Sequence, residues 1–196
     1  MTCSTRNRSR LLGCAATTAI ALTLTLAPYQ AHAQAIQATG TVRTGAAQID
    51  QSVANTTTIE VGAANTVINW QPLEDGSGNA LDFLPTGTTA QFQNSAGQGE
   101  FAVLNRILPS TNGNIAVING NVVSRLIDLS GTSTPGGFIA FYSPTGILVG
   151  STASFDVGQL MLTTLDVPQT DFENFASFGS NMTLTGAPGS TARIQI

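Results

Sequence analysis

Short apolar or alternating runs recur along the chain, each a few residues long. They cover 57–61, 66–70, 80–84, 88–92, 102–108, 114–118, 121–129, 138–142, 147–149, 154–157, 160–165, 182–185 and 191–196. Period two is the signature of a strand, because successive side chains of extended backbone point to opposite faces. Gly, Asn, Ser or Pro separates the runs, and these residues break strands for steric and hydrogen-bonding reasons. From residue 34 onward no segment of useful length carries a helical period. Strand signals about every 8–12 residues predict an all-β sandwich, barrel or solenoid. Asn119-Gly120 and Asn112-Gly113 suit hairpin turns. The lone glycines Gly146 and Gly158 suit corners where a strand bends and continues around a coil. The pattern leaves sandwich and solenoid open. It ends inside a strand-like run, 192–196, which needs pairing or cover. This predicts the N-terminal piece of a longer chain, or a very short one of its kind.

The N-terminus has a different pattern. Arg6, Arg8 and Arg10 precede an apolar stretch, 11–27, and Ala31-His32-Ala33 follows it. A basic segment, an apolar segment and an A-x-A site make a secretory signal peptide, 1–33, cut between Ala33 and Gln34. Four threonines dilute the apolar stretch, which falls short of the roughly 20 apolar residues a membrane span needs. Leu11-Leu12-Gly13-Cys14 has the look of a lipid-attachment box, yet it follows Arg10 too closely to leave room for an apolar segment.

Cleavage there changes the chemistry. Cys3, Cys14 and His32 leave with the peptide, and 34–196 retains neither cysteine, histidine nor lysine. Four arginines (Arg43, Arg106, Arg125, Arg193) minus eleven acidic residues give a net charge of −7. Histidine- and cysteine-based catalysis, Schiff-base lysines, disulfides and His/Cys zinc sites are excluded for such a chain. Charged residues are 9% of the whole and the pI is about 4.6, so there is no basic face for nucleic acid.

Several motifs occur in a fixed order. They are Val67-Ile68-Asn69-Trp70, Leu104-Asn105-Arg106-Ile107, Ser143-Pro144-Thr145-Gly146-Ile147 with Gly150, Phe155-Asp156-Val157-Gly158, and 160–165, followed by Phe172 and Phe178-Gly179. The set resembles the V-I-x-W, L-N-R-V, N-P-N-G-I/V-x-F-G, V-N-V-G and L-x-A-S-T-L elements of one family. This is the two-partner-secretion domain of filamentous-haemagglutinin-like exoproteins, also called the haemagglutination activity domain. Ser143 and Thr145 stand where the family has asparagines, and Val149 stands for its phenylalanine. The stretch 74–78 after Trp70 looks like an insertion.

The resemblance implies a right-handed parallel β-helix over 34–196, with N-terminal capping strands and about 20–25 residues per coil. Six to eight coils, roughly 30–40 Å long, would follow at about 4.8 Å per coil. It implies no enzyme activity, no cofactor and no metal. Such a domain crosses the inner membrane by the Sec route and is read by the periplasmic domains of an outer-membrane transporter. It is released or held at the cell surface, where it nucleates folding of a downstream adhesin that meets host or bacterial surface ligands. Asn105, Arg106, Ser143, Pro144, Thr145, Gly146 and Ile147 are the candidate recognition residues.

Each candidate also has a plain structural role. Pro at the second position of a type I turn and Gly at the fourth fit 143–146 without any partner. Asn105 and Arg106 lie on opposite faces of one strand; a buried Asn can bridge neighbouring coils, and an Arg can pair with a carboxylate. Trp70 reads as core. Glu74-Asp75 and Asp171/Glu173 are the close carboxylate pairs, and two carboxyls flanking a sugar is the glycosidase arrangement. A polysaccharide-acting β-helix enzyme, or a stand-alone structural or adhesive solenoid, is therefore the alternative function.

Overall fold

The computed structural model describes residues 34–95, 97–173 and 182–196. The signal peptide with Ala31 and Ala33, and the Phe178-Gly179 motif, lie outside the described residues. In chain order the elements are β1 (Ala38–Thr44), β2 (Ala47–Asp50), β3 (Thr56–Val61), β4 (Asn65–Pro72), β5 (Thr89–Asn94), β6 (Ala102–Ile107), β7 (Ala116–Ile118), β8 (Asn121–Ile127), β9 (Ser133–Pro135), β10 (Phe138–Tyr142), β11 (Ile147–Val149), β12 (Ser154–Asp156), β13 (Gln159–Thr163), α1 (Gln169–Glu173) and β14 (Ile194–Gln195).

Three parallel stacks make a β-helix. The first sheet stacks β4, β6, β10 and β13; the second stacks β3, β5, β8 and β12; the third stacks β7, β11 and β14. A parallel bridge from Leu84 to Ile118 extends the third downward. The chain visits first, third and second sheets in turn, as a coil does. At its start β1 runs antiparallel to β4, and β2 antiparallel to β3. These are the capping strands. Asn119-Gly120 is a corner between β7 and β8, not a hairpin turn.

The coil count differs from expectation. Asn65, Ala102, Phe138 and Gln159 stack in one column, so successive coils take 37, 36 and 21 residues (102 − 65, 138 − 102, 159 − 138). The body has three coils, rising about 14 Å as three steps of about 4.8 Å. Outgrowths explain the excess. The first coil carries a loop closed by the Glu74–Ala80 bridge, and the second carries β9, which folds back antiparallel on β8. The third has no such outgrowth and falls within the expected 20–25.

Strand alternation builds two clusters. Ile59, Ile68, Trp70, Phe92, Val103, Ile107, Val122, Ile139 and Phe141 fill the interior. Edge-to-face rings link it, Trp70 to Phe83 at 6.0 Å, Phe83 to Phe141 at 6.2 Å and Phe141 to Phe92 at 6.5 Å. Val67, Ala102, Leu104, Phe138 and Ala140 face outward from the first sheet, beneath Val167 and Phe172. A single-turn helix, α1, supplies Phe172; at five residues it is too short for sequence periodicity to reveal.

The cap is fastened by a buried hydrogen bond, Ile36 N–H to Thr57 Oγ1 at 3.1 Å. Thr57 is fully buried. Thr57→Val keeps the shape and strands that N–H, so we expect a loss of about 1–3 kcal/mol, read as a lower denaturation midpoint at unchanged slope.

Candidate functional site

The structure brings the two candidate motifs to one end of the first sheet. Arg106 on β6 is in register with Tyr142 on β10, and the 143–146 turn begins at the next residue. Arg106 points outward, with its guanidinium 5.1 Å from the centre of the Tyr142 ring. It donates to the Val167 carbonyl at 2.8 Å and pairs with Asp166 Oδ1 at 2.8 Å. The Asp166 side chain is 44% exposed, so the ion pair alone contributes little, about 1 kcal/mol or less. Burial pushes the Tyr142 phenol above its ordinary value, and the Asp166 carboxylate adds to this against the Arg106 guanidinium.

Asn105 points the other way. It is fully buried and joins three coils: Trp70 Nε1–H donates to its Oδ1 at 2.9 Å, and its Nδ2–H donates to the Ala140 carbonyl at 3.1 Å. A buried indole N–H needs such an acceptor. No surface of Asn105 is offered to a partner of the folded domain.

The turn closes as its sequence suggests. Gly146 N–H donates to the Ser143 carbonyl at 3.3 Å. The Ser143 and Thr145 hydroxyls lie 3.1 Å apart, and Thr145 Oγ1 donates to the Asn114 carbonyl at 2.8 Å. Of the two hydroxyls that stand for asparagines, Thr145 anchors the turn to the coil below and Ser143 closes on Thr145 within the turn. Ser143 and Ile147 are buried, while Pro144 and Thr145 are half-buried. Ile147 pairs with Ala116 below and Ile194 above. A cavity of about 250 Å³ beside the turn is lined by Tyr142, Pro144, Thr164, Asp166, Thr185 and Ser190. Sequence reasoning did not find Tyr142 and Asp166, because Asp166 lies 60 positions from Arg106 and no local pattern links them.

The carboxylates of the acidic loop are occupied as caps. Glu74 accepts from Thr111 N–H at 2.7 Å and Thr111 Oγ1–H at 2.8 Å. Asp75 Oδ1 accepts from Ser77 N–H at 2.8 Å and Asn79 N–H at 3.0 Å. Hydrogen bonds from Asn79 and Ser77 hold the Asp75 carboxyl below the usual carboxylate range. Asp128, at the base of the second outgrowth, is lowered likewise by Ser130 and Thr132. Among the described residues, no three His, Cys, Asp or Glu side chains gather in a way that suits a metal ion.

No family model and no curated protein matches the chain. Among solved structures it is similar to the HMW1 secretion domain from Haemophilus influenzae, with a TM-score of 0.57 and 20% identity. The match covers 80% of this chain and 34% of that one. The chain thus spans about a third of the structure it matches. The likeness is one of fold: this chain is a parallel β-helix, the architecture its ordered motifs led us to expect.

Proposed function

We propose that residues 34–196 are the N-terminal secretion domain of a bacterial surface exoprotein or adhesin, exported through the Sec route behind the 1–33 signal peptide. In this reading an outer-membrane transporter of the two-partner type recognises the domain with its periplasmic domains. The domain then nucleates β-helix folding of the downstream passenger, at the cell surface or in the medium. The observation that carries the reading is the fold likeness to a secretion domain, and the ordered motifs that resemble that family's elements support it. The engagement of Glu74 and Asp75 as caps favours it over the polysaccharide-acting enzyme.

The recognition residues divide by accessibility. Arg106, Pro144 and Thr145 keep some exposed surface, so they are the ones a transporter can meet on folded coils. Asn105, Ser143, Gly146 and Ile147 are buried and are open to it only while the chain is extended.

The test is co-expression with a cognate outer-membrane transporter of the two-partner type. Secreted material is expected to begin at Gln34 by mass spectrometry. Arg106→Ala and Ser143→Ala should cut secreted yield severalfold while the melting temperature of the refolded domain moves by only a few degrees. Full secretion of both variants removes them from the recognition surface. Retention of Met1, or a lipid on Cys14, overturns the export route.

A further inference from the structure

A solenoid is quasi-one-dimensional, since each coil touches only its neighbours and can form without the rest. One segment of this protein breaks that rule. Residues 164–172 leave the top of the first sheet and run down its outer face. There Val167 and Phe172 are fully buried, against Val67 of β4, Leu104 of β6 and Phe138 and Ala140 of β10. The Phe172 and Phe138 rings stack at 6.5 Å with 24° between their planes.

Polar contacts fix the same segment. Arg106 of β6 holds Asp166 and the Val167 carbonyl. The Gln169 side-chain amide reaches Thr44 at the end of β1, 125 positions earlier in the chain. Asp166 and Thr185 exchange two backbone hydrogen bonds, at 2.8 and 2.9 Å.

The first sheet needs this cover. Parallel sheets are stable when both faces are buried. The outward positions of the second sheet include Thr58, Glu60, Gln91, Gln93 and Arg125, with Val123 an apolar one among them, and this mostly polar face tolerates water. Those of the first are polar at one end, at Asn69, Arg106 and Tyr142, and apolar elsewhere, at Val67, Ala102, Leu104, Phe138 and Ala140. Without the segment the apolar ones form a contiguous patch across three coils, and the burial that would stabilise this face of the sheet is missing.

We propose that residues 164–172 are a folding checkpoint: the coils reach their folded state only when this strap closes over the first sheet and buries Val167 and Phe172 there. The inference rests on the secretion reading for its purpose. A chain that must cross a membrane extended gains from a fold that waits for its residue 172. The mechanism itself needs no transporter.

Native-state hydrogen exchange on the purified protein tests it. Amides of the strap (Asp166, Phe172) and of β4, β6 and β10 are expected to open together, with one free energy and one denaturant dependence. Phe172→Ala should lower protection across β4, β6 and β10 alike, by about 100-fold or more, as loss of a buried phenylalanine does. Two results overturn the proposal. One is a strap that exchanges through a local opening, independent of denaturant, while β4, β6 and β10 stay protected. The other is a Phe172→Ala protein whose loss is confined to the strap. Should that variant fail to fold, the unmodified protein's exchange pattern still decides. Secretion plays no part in this measurement, so its outcome and that of the transporter experiment are separate.

Discussion

Asn105→Ala is expected to lower stability by about 3–5 kcal/mol, because it removes a bridge that no neighbour can replace. The indole N–H of Trp70 and one acceptor site on the Ala140 carbonyl depend on that side chain, and all lie where water does not reach. Each stranded buried group costs about 1–3 kcal/mol, and the missing amide leaves a void besides. For a domain of this size the melting temperature should fall by roughly 10 °C or more. A double-mutant cycle isolates the cause. Trp70→Phe removes the donor, so Asn105→Leu should cost at least about 1 kcal/mol less in that background than alone. Equal costs in both backgrounds would mean that Asn105 acts by volume and not through the Trp70 hydrogen bond.

Gly146→Val is the second large effect. Gly146 has φ +111°, a conformation L side chains rarely adopt, and an added Cβ would sit 2.9 Å from the Arg193 carbonyl and 3.2 Å from Ile115. Such strain costs about 1–3 kcal/mol before any clash, and a β-branched residue adds to it. A loss of about 2–4 kcal/mol is expected by chemical denaturation, with a fall in secreted yield beside it. Thr145→Val is the comparison: it loses only the hydroxyl that holds the Asn114 carbonyl at 2.8 Å. Its cost should be about 1 kcal/mol. If Gly146→Val is as mild as Thr145→Val, the corner has room for another backbone path.

Strands with a dry inner face were legible because burial imposes period two on the sequence. Thr56–Val61, Thr89–Asn94 and Asn121–Ile127 show it. The cap was not located, since β1 reads Ala-Thr-Gly-Thr-Val-Arg-Thr and puts a glycine where an apolar side chain would mark the inner face. That glycine is there because the Trp70 ring lies 2.6 Å from where its Cβ would stand. Segments 80–84 and 182–185 alternate like strands, yet they make only isolated bridges. Coil length was hidden for another reason: outgrowths add residues without adding rungs. At the site, the turn chemistry of 143–146 was readable from Pro and Gly alone. The partners of Asn105 and Arg106 were not, because they come from other coils at distances in sequence that follow no motif.

The antiparallel cap has a consequence for assembly. A parallel stack has two unlike ends, and either could in principle recruit another chain into a growing fibril. Here the lower end is finished with strands running the other way. Arg43 stands exposed on β1 and Asp50 on β2, and charged edge strands resist pairing. The molecule therefore has a blunt lower pole: another strand could join the stack there only by displacing β1 and β2 from β4 and β3.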